Sequence, residues 1–547
     1  MKQGFRQSMA WLHTWTGLLV GWLLLLIFMA GTASYYRDEI TRWMKPELTG
    51  QRVDADLAAE RALAYLATKA PQAEQWTVTL PGERNPALRM FWRNPESMVK
   101  PRPEGERRRG RGRDGRFGDA TLDATTGQEV KARETRGGDF FYRLHFDLYY
   151  IPVLWARWLV GFCAMFMLVA IITGVVTHKK IFTDFFTFRP GKGQRSWLDF
   201  HNASAVFALP YHAMITYTGI VTLMFMYLPW GVKVAYPQDE DAFFTEAFGG
   251  MADVRPASGE PMAARSVDEL LAIARGQWKD RGVDAFTMHN PGDRNAVFEA
   301  RQTGGKRIST ETPAIRIDAV TGQVMENSHP QGGASETRNV MYGLHVGRFG
   351  GWPMHALFFI SGLAGCLMVA SGVVLWAVKE RQKHAKSGRI SVGLRLVDAL
   401  NIGTVAGLTI AFPAYFWANR LLPLEMAERP RGEANVFFYA WAAALVLAFI
   451  WPRRRMWSLQ LWIGGLLFAA IPLLNLLTST RHLGHTLSEG DWAVAGVDIV
   501  TCAIGVVICY TAVRVQRWTP PLSAAQKRAK QTAPPAATLD ATPAVTP

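Results

Sequence analysis

Hydrophobic and polar positions alternate in long blocks along this chain. A helix of about 20 apolar residues crosses the roughly 30 Å core of a bilayer. Eight runs are long enough, at residues 11–34, 153–177, 202–228, 354–379, 396–417, 434–451, 457–477 and 491–514. The pattern therefore predicts an α-helical integral membrane protein with about eight transmembrane helices, here called spans 1–8. An even number of spans places both termini on one side.

Lysine and arginine in the short connections predict the orientation, because such residues are retained on the cytoplasmic side. They follow spans 2, 4 and 6, as Lys179, Lys180, Arg189, Lys192 and Arg195; Lys379, Arg381, Lys383, Lys386 and Arg389; and Arg453, Arg454 and Arg455. These connections and both termini are therefore expected in the cytoplasm. The two long loops then face outward, into the periplasm if the membrane is a bacterial inner membrane.

The predicted organisation divides the chain at the ends of these runs. It comprises span 1 (1–34), a first outer module (35–150), span 2 (151–178), a cytoplasmic loop (179–200), span 3 (201–228), a second outer module (229–350), span 4 (351–379), a second cytoplasmic loop (380–395), spans 5–8 (396–514) and a cytoplasmic tail (515–547) predicted to be disordered.

The first four spans form an internal duplication. "WLHTWTG" places His13 at the start of span 1, and Gly31 follows 18 residues later; "FHNASAV" places His201 at the start of span 3, with Gly219 at the same spacing. Further along, "LDATTGQEV" (122–130) is repeated as "IDAVTGQVM" (317–325), and "YRLHFDL" as "MYGLHVG". Spans 2 and 4 both end in Gly-Val-Val, at Gly174 and Gly372. Two such copies are expected to pack about a pseudo-twofold axis.

Each outer loop has the pattern of a small α+β module. Residues 54–68 and 267–279 have the apolar spacing of a helix. The alternating stretches "QWTVTL" and "LRMFW" follow the first, and "AFTMH" and "AVFEA" follow the second. The repeated Asp-Ala-x-Thr-Gly-Gln segment is typical of a strand that enters a glycine turn.

An arginine-rich insert, residues 101–118, interrupts the first module in a chain of net charge +15. With so few apolar residues it is expected to be a solvated, flexible loop. The alternative is electrostatic attraction of an anionic ligand by Arg107, Arg108, Arg109, Arg111 and Arg113. Nucleic acid is not an expected partner, because this segment faces away from the cytoplasm.

Histidines supply the candidate chemistry, since ligating side chains within a bilayer are costly and usually functional. Two imidazoles from different helices can hold an iron porphyrin as axial ligands. The duplication offers one pair, His145 with His345, near the outer surface, and a second, His13 with His201, near the inner surface. His178 and His212 compete for these roles. Two alternatives remain open, namely interfacial histidines bonded to backbone carbonyls and metal-ion transport.

A second histidine motif is weaker. His482 and His485 lie three residues apart after span 7, close enough to share one helix face. They can bind a metal or cap the loop. The four cysteines lie within apolar runs and without metal-type spacing, so they are expected to be buried thiols.

The sequence also excludes several classes of enzyme. It has neither a dinucleotide-binding Gly-x-Gly-x-x-Gly after a strand nor a phosphate-binding P-loop. The cytoplasmic loops, of about 20 residues, are too short for a nucleotide-binding domain. Any electrons must therefore come from membrane quinol or from a separate donor, and an ATP-driven pump is excluded.

Several stretches in order resemble the PepSY-associated transmembrane helix family. They are "AWLHTWTGLLVGWLLLLIFMAGTASYY", "FYRLHFDLYY", "GVVTHKK" and "DFHNASAVFALPYHAMITYTG", with PepSY-like "DATTGQEV" and "DAVTGQV", and they cover roughly residues 1–380. The resemblance implies a bacterial inner-membrane protein linked to iron uptake, some relatives being haem b reductases of periplasmic ferric siderophores. It implies as haem-ligand candidates His13, His145, His178, His201, His212 and His345, without saying which pair. Spans 5–8 lie outside the resemblance.

The resulting hypothesis is a transmembrane electron conduit with two haem groups. Electrons would enter at the level of His13 and His201, reach the level of His145 and His345, and reduce a ferric siderophore or another ferric chelate. The competing hypotheses are a secondary transporter for iron or siderophore and a membrane-anchored binding or regulatory module.

Overall fold

Long apolar helices form most of the structure. The computed structural model describes residues 4–48, 53–98 and 115–518, except 83, 179, 249–250, 252–253, 280, 306, 329–331 and 385–389. Most of the predicted arginine-rich insert, including Arg107, Arg108, Arg109, Arg111 and Arg113, and the tail beyond residue 518 lie outside the described residues.

The first repeat contains five helices and three strands. They are α1 (Phe5–Ser34), α2 (Arg37–Met44), α3 (Ala55–Lys69), β1 (Gln75–Thr79), β2 (Leu88–Arg93), β3 (Phe117–Leu122), α4 (Asp139–Asp147) and α5 (Val153–Thr177).

The second repeat has the same order with extra short helices. It comprises α6 (Ile181–Phe185), α7 (Gln194–Phe207), α8 (Leu209–Thr222), α9 (Met224–Tyr227), α10 (Trp230–Ala235), α11 (Glu240–Phe248), α12 (Val267–Gln277), β4 (Val283–His289), β5 (Val297–Gln302), β6 (Ala314–Asp318), β7 (Val324–Asn327), α13 (Gly333–Val346) and α14 (Gly351–His384).

The remaining helices form a second bundle. They are α15 (Val392–Asn401), α16 (Leu408–Leu421), α17 (Arg429–Ile450), α18 (Arg454–Ala469), α19 (Ile471–Thr478), α20 (Leu483–Ser488) and α21 (Trp492–Arg517), and a π-helical turn, Ile402–Ala406, joins α15 to α16.

Six helices in the described residues are long and apolar enough to cross a membrane: α1, α5, α14, α15–α16 taken together, α17 and α21. The pair α18 and α19, bent by 42°, makes a seventh if it is one span. Predicted span 3 instead consists of α7 and α8, 14 residues each, which meet at Ala208. Pro210 at the start of α8 lacks the amide hydrogen that would continue the ladder from α7. The protein is thus a multi-pass membrane protein, and the count of eight spans stays a prediction.

The strands of both long loops belong to one antiparallel sheet of order β3-β2-β1-β4-β5-β6-β7. The repeats join where β1 pairs with β4, and Thr77 faces Thr287 at the centre of that pair. Helices α3 and α12 pack on one face through a shared apolar core. The alternating segments are strands as predicted, but the two copies pool them in one sheet, because each three- or four-stranded half would otherwise expose the edge at β1 or β4.

The Asp-x-x-Thr-Gly-Gln segments make the predicted turns in both repeats. The Oδ1 atom of Asp123 accepts bonds from the amides of Thr125 and Thr126 at 2.7 and 3.1 Å. Asp318 makes the equivalent bonds in the second repeat. Gly127 and Gly322 follow with φ of 72° and 78°, which favours glycine.

The second bundle packs against the first repeat. Phe140 and Phe141 of α4 stack on Tyr415 and Phe412 of α16, with ring centroids 4.4 and 5.0 Å apart. Beside this aromatic cluster, Arg429 and Glu433 form a fully buried ion pair. The helices that follow the duplicated region are therefore an integral part of the membrane domain.

Candidate functional site

The side chains of His145 and His345 face each other across the interface between the repeats. Their ring centroids lie 6.0 Å apart. His145 belongs to α4 and His345 to α13, the helices that lead from the sheet into the spans. We call these two residues the sheet-side pair.

Each ring of the sheet-side pair is held by the same kind of contact. His145 Nδ1 lies 2.7 Å from the carbonyl oxygen of Ile27 on α1, and His345 Nδ1 lies 3.1 Å from that of Ile215 on α8. A glycine follows each acceptor by four residues. A Cβ at Gly31 would lie 2.7 Å from the His145 ring, and one at Gly219 would lie 2.9 Å from the His345 ring.

A second pair, His13 and His201, has the same arrangement at the other end of the duplicated bundle; we call it the far-side pair. The two ring centroids lie 6.2 Å apart. His13 Nδ1 lies 2.8 Å from the Ala170 carbonyl of α5, and His201 Nδ1 lies 2.9 Å from the Met368 carbonyl of α14.

Here too each acceptor precedes by four residues the glycine that contacts the ring. A Cβ would approach His13 to 3.1 Å at Gly174, and His201 to 3.1 Å at Gly372. All four rings thus lie in a notch made by a glycine and by a carbonyl one turn earlier. The notch exists because glycine has no side chain to fill the space beside the helix backbone.

This arrangement selects one ring nitrogen for chemistry. With Nδ1 donating to a carbonyl, the neutral imidazole carries its lone pair on Nε2. Among the hydrogen bonds within the described residues, none uses the Nε2 atom of these four histidines. A fixed tautomer with a free Nε2 is the usual state of a metal-ligating histidine.

The spacing of the rings provides a test of whether an iron porphyrin fits. A metal–imidazole bond is about 2.0 Å long, so two rings that bind one iron from opposite sides have centroids roughly 6.4 Å apart. The observed distances are 6.0 Å for the sheet-side pair and 6.2 Å for the far-side pair. Both pairs therefore fit the axial ligation of haem.

A cavity of about 310 Å³ adjoins the sheet-side pair. Apolar side chains dominate its inner wall, and Tyr142, Tyr342, Arg157 and Arg338 line it on the side of the sheet. Its volume falls in the range of small-molecule and cofactor sites, which are concave and mostly apolar.

The distance between the two pairs follows from helix α1. His13 belongs to the far-side pair, and Gly31, 18 residues later, contacts the sheet-side pair. At 1.5 Å per residue the two levels lie roughly 27 Å apart. The pairs therefore lie near opposite ends of one span.

His212 belongs to neither pair. It is completely buried on α8, with Nε2 3.3 Å from the Ser361 carbonyl and its ring 6.3 Å from that of Phe28. It precedes Gly219 by seven residues, and Gly365, which it contacts, precedes Gly372 by seven. His212 is thus roughly 10 Å along the helices from either level.

The other candidates also lie outside the pairs. His178 ends α5, and its Nε2 lies 3.4 Å from the Asn202 side chain. His482 and His485 have ring centroids 6.4 Å apart, and His485 contacts Glu489 at 3.4 Å. No group of three or more metal-ligating residues of the His, Cys, Asp or Glu types occurs among the described residues.

Sequence patterns identified the four histidines and their glycines as repeated positions but did not show that each glycine receives a ring. The Gly-x₁₇ spacing within span 1 and span 3 was the available signal, because a residue that must be glycine in a span often marks a close approach. Tyr142 and Tyr342, each three residues before its histidine, were a second repeated signal, and Arg338 had none.

Comparison with known proteins agrees with the duplicated architecture. The model of the PepSY-associated TM region matches residues 10–379, about two thirds of the chain and the whole of both repeats. An uncharacterized protein of Pseudomonas aeruginosa is 26% identical over 374 residues, which cover 64% of this chain and 89% of the relative. The chain therefore belongs to the family defined by the PepSY-associated transmembrane region.

Proposed function

We propose that this protein is a haem-containing membrane reductase that passes electrons across the bilayer to a ferric chelate. The observation that carries the proposal is the fourfold repetition of one contact: a histidine whose Nδ1 bonds to a carbonyl, whose ring lies on a glycine and whose Nε2 is free. Two haem b groups are expected, one at each pair.

The protein residues supply position and tautomer. Bound haem would supply one-electron redox chemistry at each level. The Ile27 and Ile215 carbonyls orient the rings of the sheet-side pair, and the apolar cavity wall excludes water from them. Hydrogen bonds of this kind raise the basicity of a ligating imidazole, which favours the oxidised metal and so lowers its potential.

Residues midway between the pairs bridge the gap. His212 and Phe28 contact each other edge to face there, from α8 and α1. Their rings fill space that would otherwise hold a void or water, and a packed medium couples redox centres better than a gap does. We assign His212 to this packing role rather than to haem ligation.

The proposed reaction balances with a quinol or a separate one-electron protein as donor. A quinol gives up two electrons and two protons and so reduces two ferric ions, each of which takes one electron. Ferrous iron binds hard oxygen ligands more weakly than ferric iron does, and the metal is released. The proposed substrate is a ferric siderophore or another ferric chelate on the side of the sheet.

The proposed location is a bacterial inner membrane, with both termini in the cytoplasm and the sheet in the periplasm. The cationic connections after spans 2, 4 and 6 support this orientation. The sheet-side pair would then lie near the periplasmic surface, where a ferric chelate arrives, and the far-side pair near the cytoplasmic surface.

An absorbance spectrum of the full-length protein purified in detergent tests this function. We expect Soret and α bands that sharpen on reduction with dithionite, and two haems per chain by pyridine haemochrome analysis. The reduced protein should reoxidise on addition of ferric citrate while a ferrous indicator dye develops colour. Purified protein without a dithionite-sensitive Soret band would exclude the proposal.

A secondary transporter is the alternative that a structural observation favours. Transporters bind substrates at interruptions of membrane helices, and two occur here, between α7 and α8 and between α18 and α19. Uptake of radioactive ferric chelate into proteoliposomes without a reductant would support transport. A membrane-anchored regulatory module, the remaining hypothesis, does not explain the paired histidines.

A further inference from the structure

Arg338 lies where the sheet-side cavity opens toward the sheet. It belongs to α13, seven residues before His345, and lines the cavity together with Tyr342. The corresponding position in the first repeat, seven residues before His145, is Gly138. The duplicated framework therefore does not need an arginine here, and the cation is specific to one repeat.

The other arginines near this opening have carboxylate partners. Arg157 lies 2.9 Å from Asp147, and Arg37 lies 2.9 Å from Asp139. Arg338 forms no salt bridge within the described part of the chain; its Nη1 lies 3.3 Å from the neutral Asn339 amide oxygen. Its Nε is buried without a hydrogen-bond partner in that same part.

Aromatic rings fix the guanidinium of Arg338 in place. Its central carbon lies 5.0, 5.6 and 5.9 Å from the ring centroids of Phe248, Tyr342 and Phe225. Such contacts stabilise a cation but leave its in-plane N–H donors unused. Partial burial without an anion lowers the pKa of Arg338, because desolvation disfavours the charged form.

A planar guanidinium with free donors matches a carboxylate, which can accept two parallel hydrogen bonds. We propose that Arg338 binds a carboxylate group at the opening of the sheet-side cavity. The carboxylate can belong to a porphyrin held between His145 and His345, a source that rests on the proposed function. It can also belong to a ferric carboxylate chelate such as ferric citrate.

Arg338→Gln, which removes the charge and keeps most of the volume, tests the proposal in the full-length protein. Arg143→Gln is the matched control, because Arg143 lies on the equivalent helix α4 and its side chain is 57% exposed. Arg338→Lys tests the geometry, since it keeps the charge but not the fork. Two quantities are measured: the rate of haem transfer to apomyoglobin, and the dissociation constant of ferric citrate from tryptophan fluorescence.

If the carboxylate belongs to the porphyrin, Arg338→Gln should lose haem about tenfold or more faster than Arg143→Gln, with Arg338→Lys between them. If it belongs to the chelate, haem loss should be unchanged and the ferric citrate dissociation constant should rise about tenfold or more. Equal values for Arg338→Gln and Arg143→Gln in both measurements would overturn the proposal.

The outcome remains separable from that of the proposed function. Wild-type protein without haem would exclude the reductase, and ferric citrate binding alone would then decide the role of Arg338. If wild-type protein bound neither haem nor ferric citrate, both proposals would be wrong. Haem-loaded wild-type protein with an unaffected Arg338→Gln variant would exclude only the carboxylate site.

Discussion

The ring centroids of His145 and His345 lie 6.0 Å apart although 200 positions separate the residues in the chain. Each ring is oriented by a backbone carbonyl of its own repeat, Ile27 or Ile215. The two halves of the proposed ligand pair are thus built locally, and the interface between the repeats sets only the distance between them.

Replacement of His345 by Ala should remove about half of the dithionite-sensitive haem absorbance, because one axial nitrogen of the sheet-side pair is lost and the far-side pair remains. His145→Ala should give the same spectrum. The measurement is the reduced-minus-oxidised spectrum and the haem content per chain.

His212→Phe is the control for this experiment, since His212 belongs to neither pair. We expect it to keep both haems, with no more than a small change in the rate of electron transfer from one side to the other. Loss of one haem from His212→Phe, together with a normal spectrum of His345→Ala, would show that the pairs are wrongly assigned.

Gly31→Ala should weaken the sheet-side site without removing any ligating atom. Its new Cβ would lie 2.7 Å from the His145 ring, so the ring must move and its bond to Ile27 must break or distort. We expect a broadened or halved haem signal. Gly17→Ala in the same helix is the matched control, because no atom lies within 4 Å of its Cβ. Identical spectra of the two variants would contradict the packing role of Gly31.

Arg429→Leu should strongly destabilise the second bundle. Arg429 and Glu433 are both fully buried, and removal of one partner leaves an uncompensated charge, at a cost of roughly 3–5 kcal/mol. The double variant Arg429→Leu/Glu433→Leu should recover part of this loss. Thermal unfolding in detergent measures the effect, and Arg431→Leu, whose side chain is 64% exposed, should change it little. A double variant less stable than the single one would refute this explanation.

Acidification should weaken the sheet through Glu299. His289 and Arg316 lie 3.5 and 3.0 Å from its carboxylate, and the His289 imidazole, followed by Arg316, holds the pKa of Glu299 below its usual value of 4.5. A lowered carboxyl pKa stabilises the folded state above pH 4.5, and this contribution is lost as the pH falls through the folded pKa.

Amide hydrogen exchange of β4–β6, corrected for the intrinsic pH dependence, measures this effect. The wild-type protein should lose protection in these strands below pH 4.5, while Glu299→Gln should start lower and change less. Thr121 on β3, at the other end of the sheet, reports whether the loss is local. Equal pH dependence in both proteins would exclude Glu299 as the responsible group.

The sequence by itself determined the membrane class, the duplication, the α+β pattern of the outer loops and the identity of the histidines that repeat. These features follow from local rules: apolar runs of bilayer length, alternating strands, and a spacing of 18 residues between His13 and Gly31 that recurs at His201 and Gly219. Such patterns are written along a single segment and need no partner.

The tertiary structure alone decided what the segments do to one another. The His145 to His345 distance, the exclusion of His212 from both pairs, and the pooling of two sets of strands into one sheet at Thr77 and Thr287 depend on how the repeats meet. The unpaired cation at Arg338 is of the same kind, because a missing counter-ion is a property of its surroundings. Contacts between distant segments are set by packing and desolvation, which no local pattern encodes.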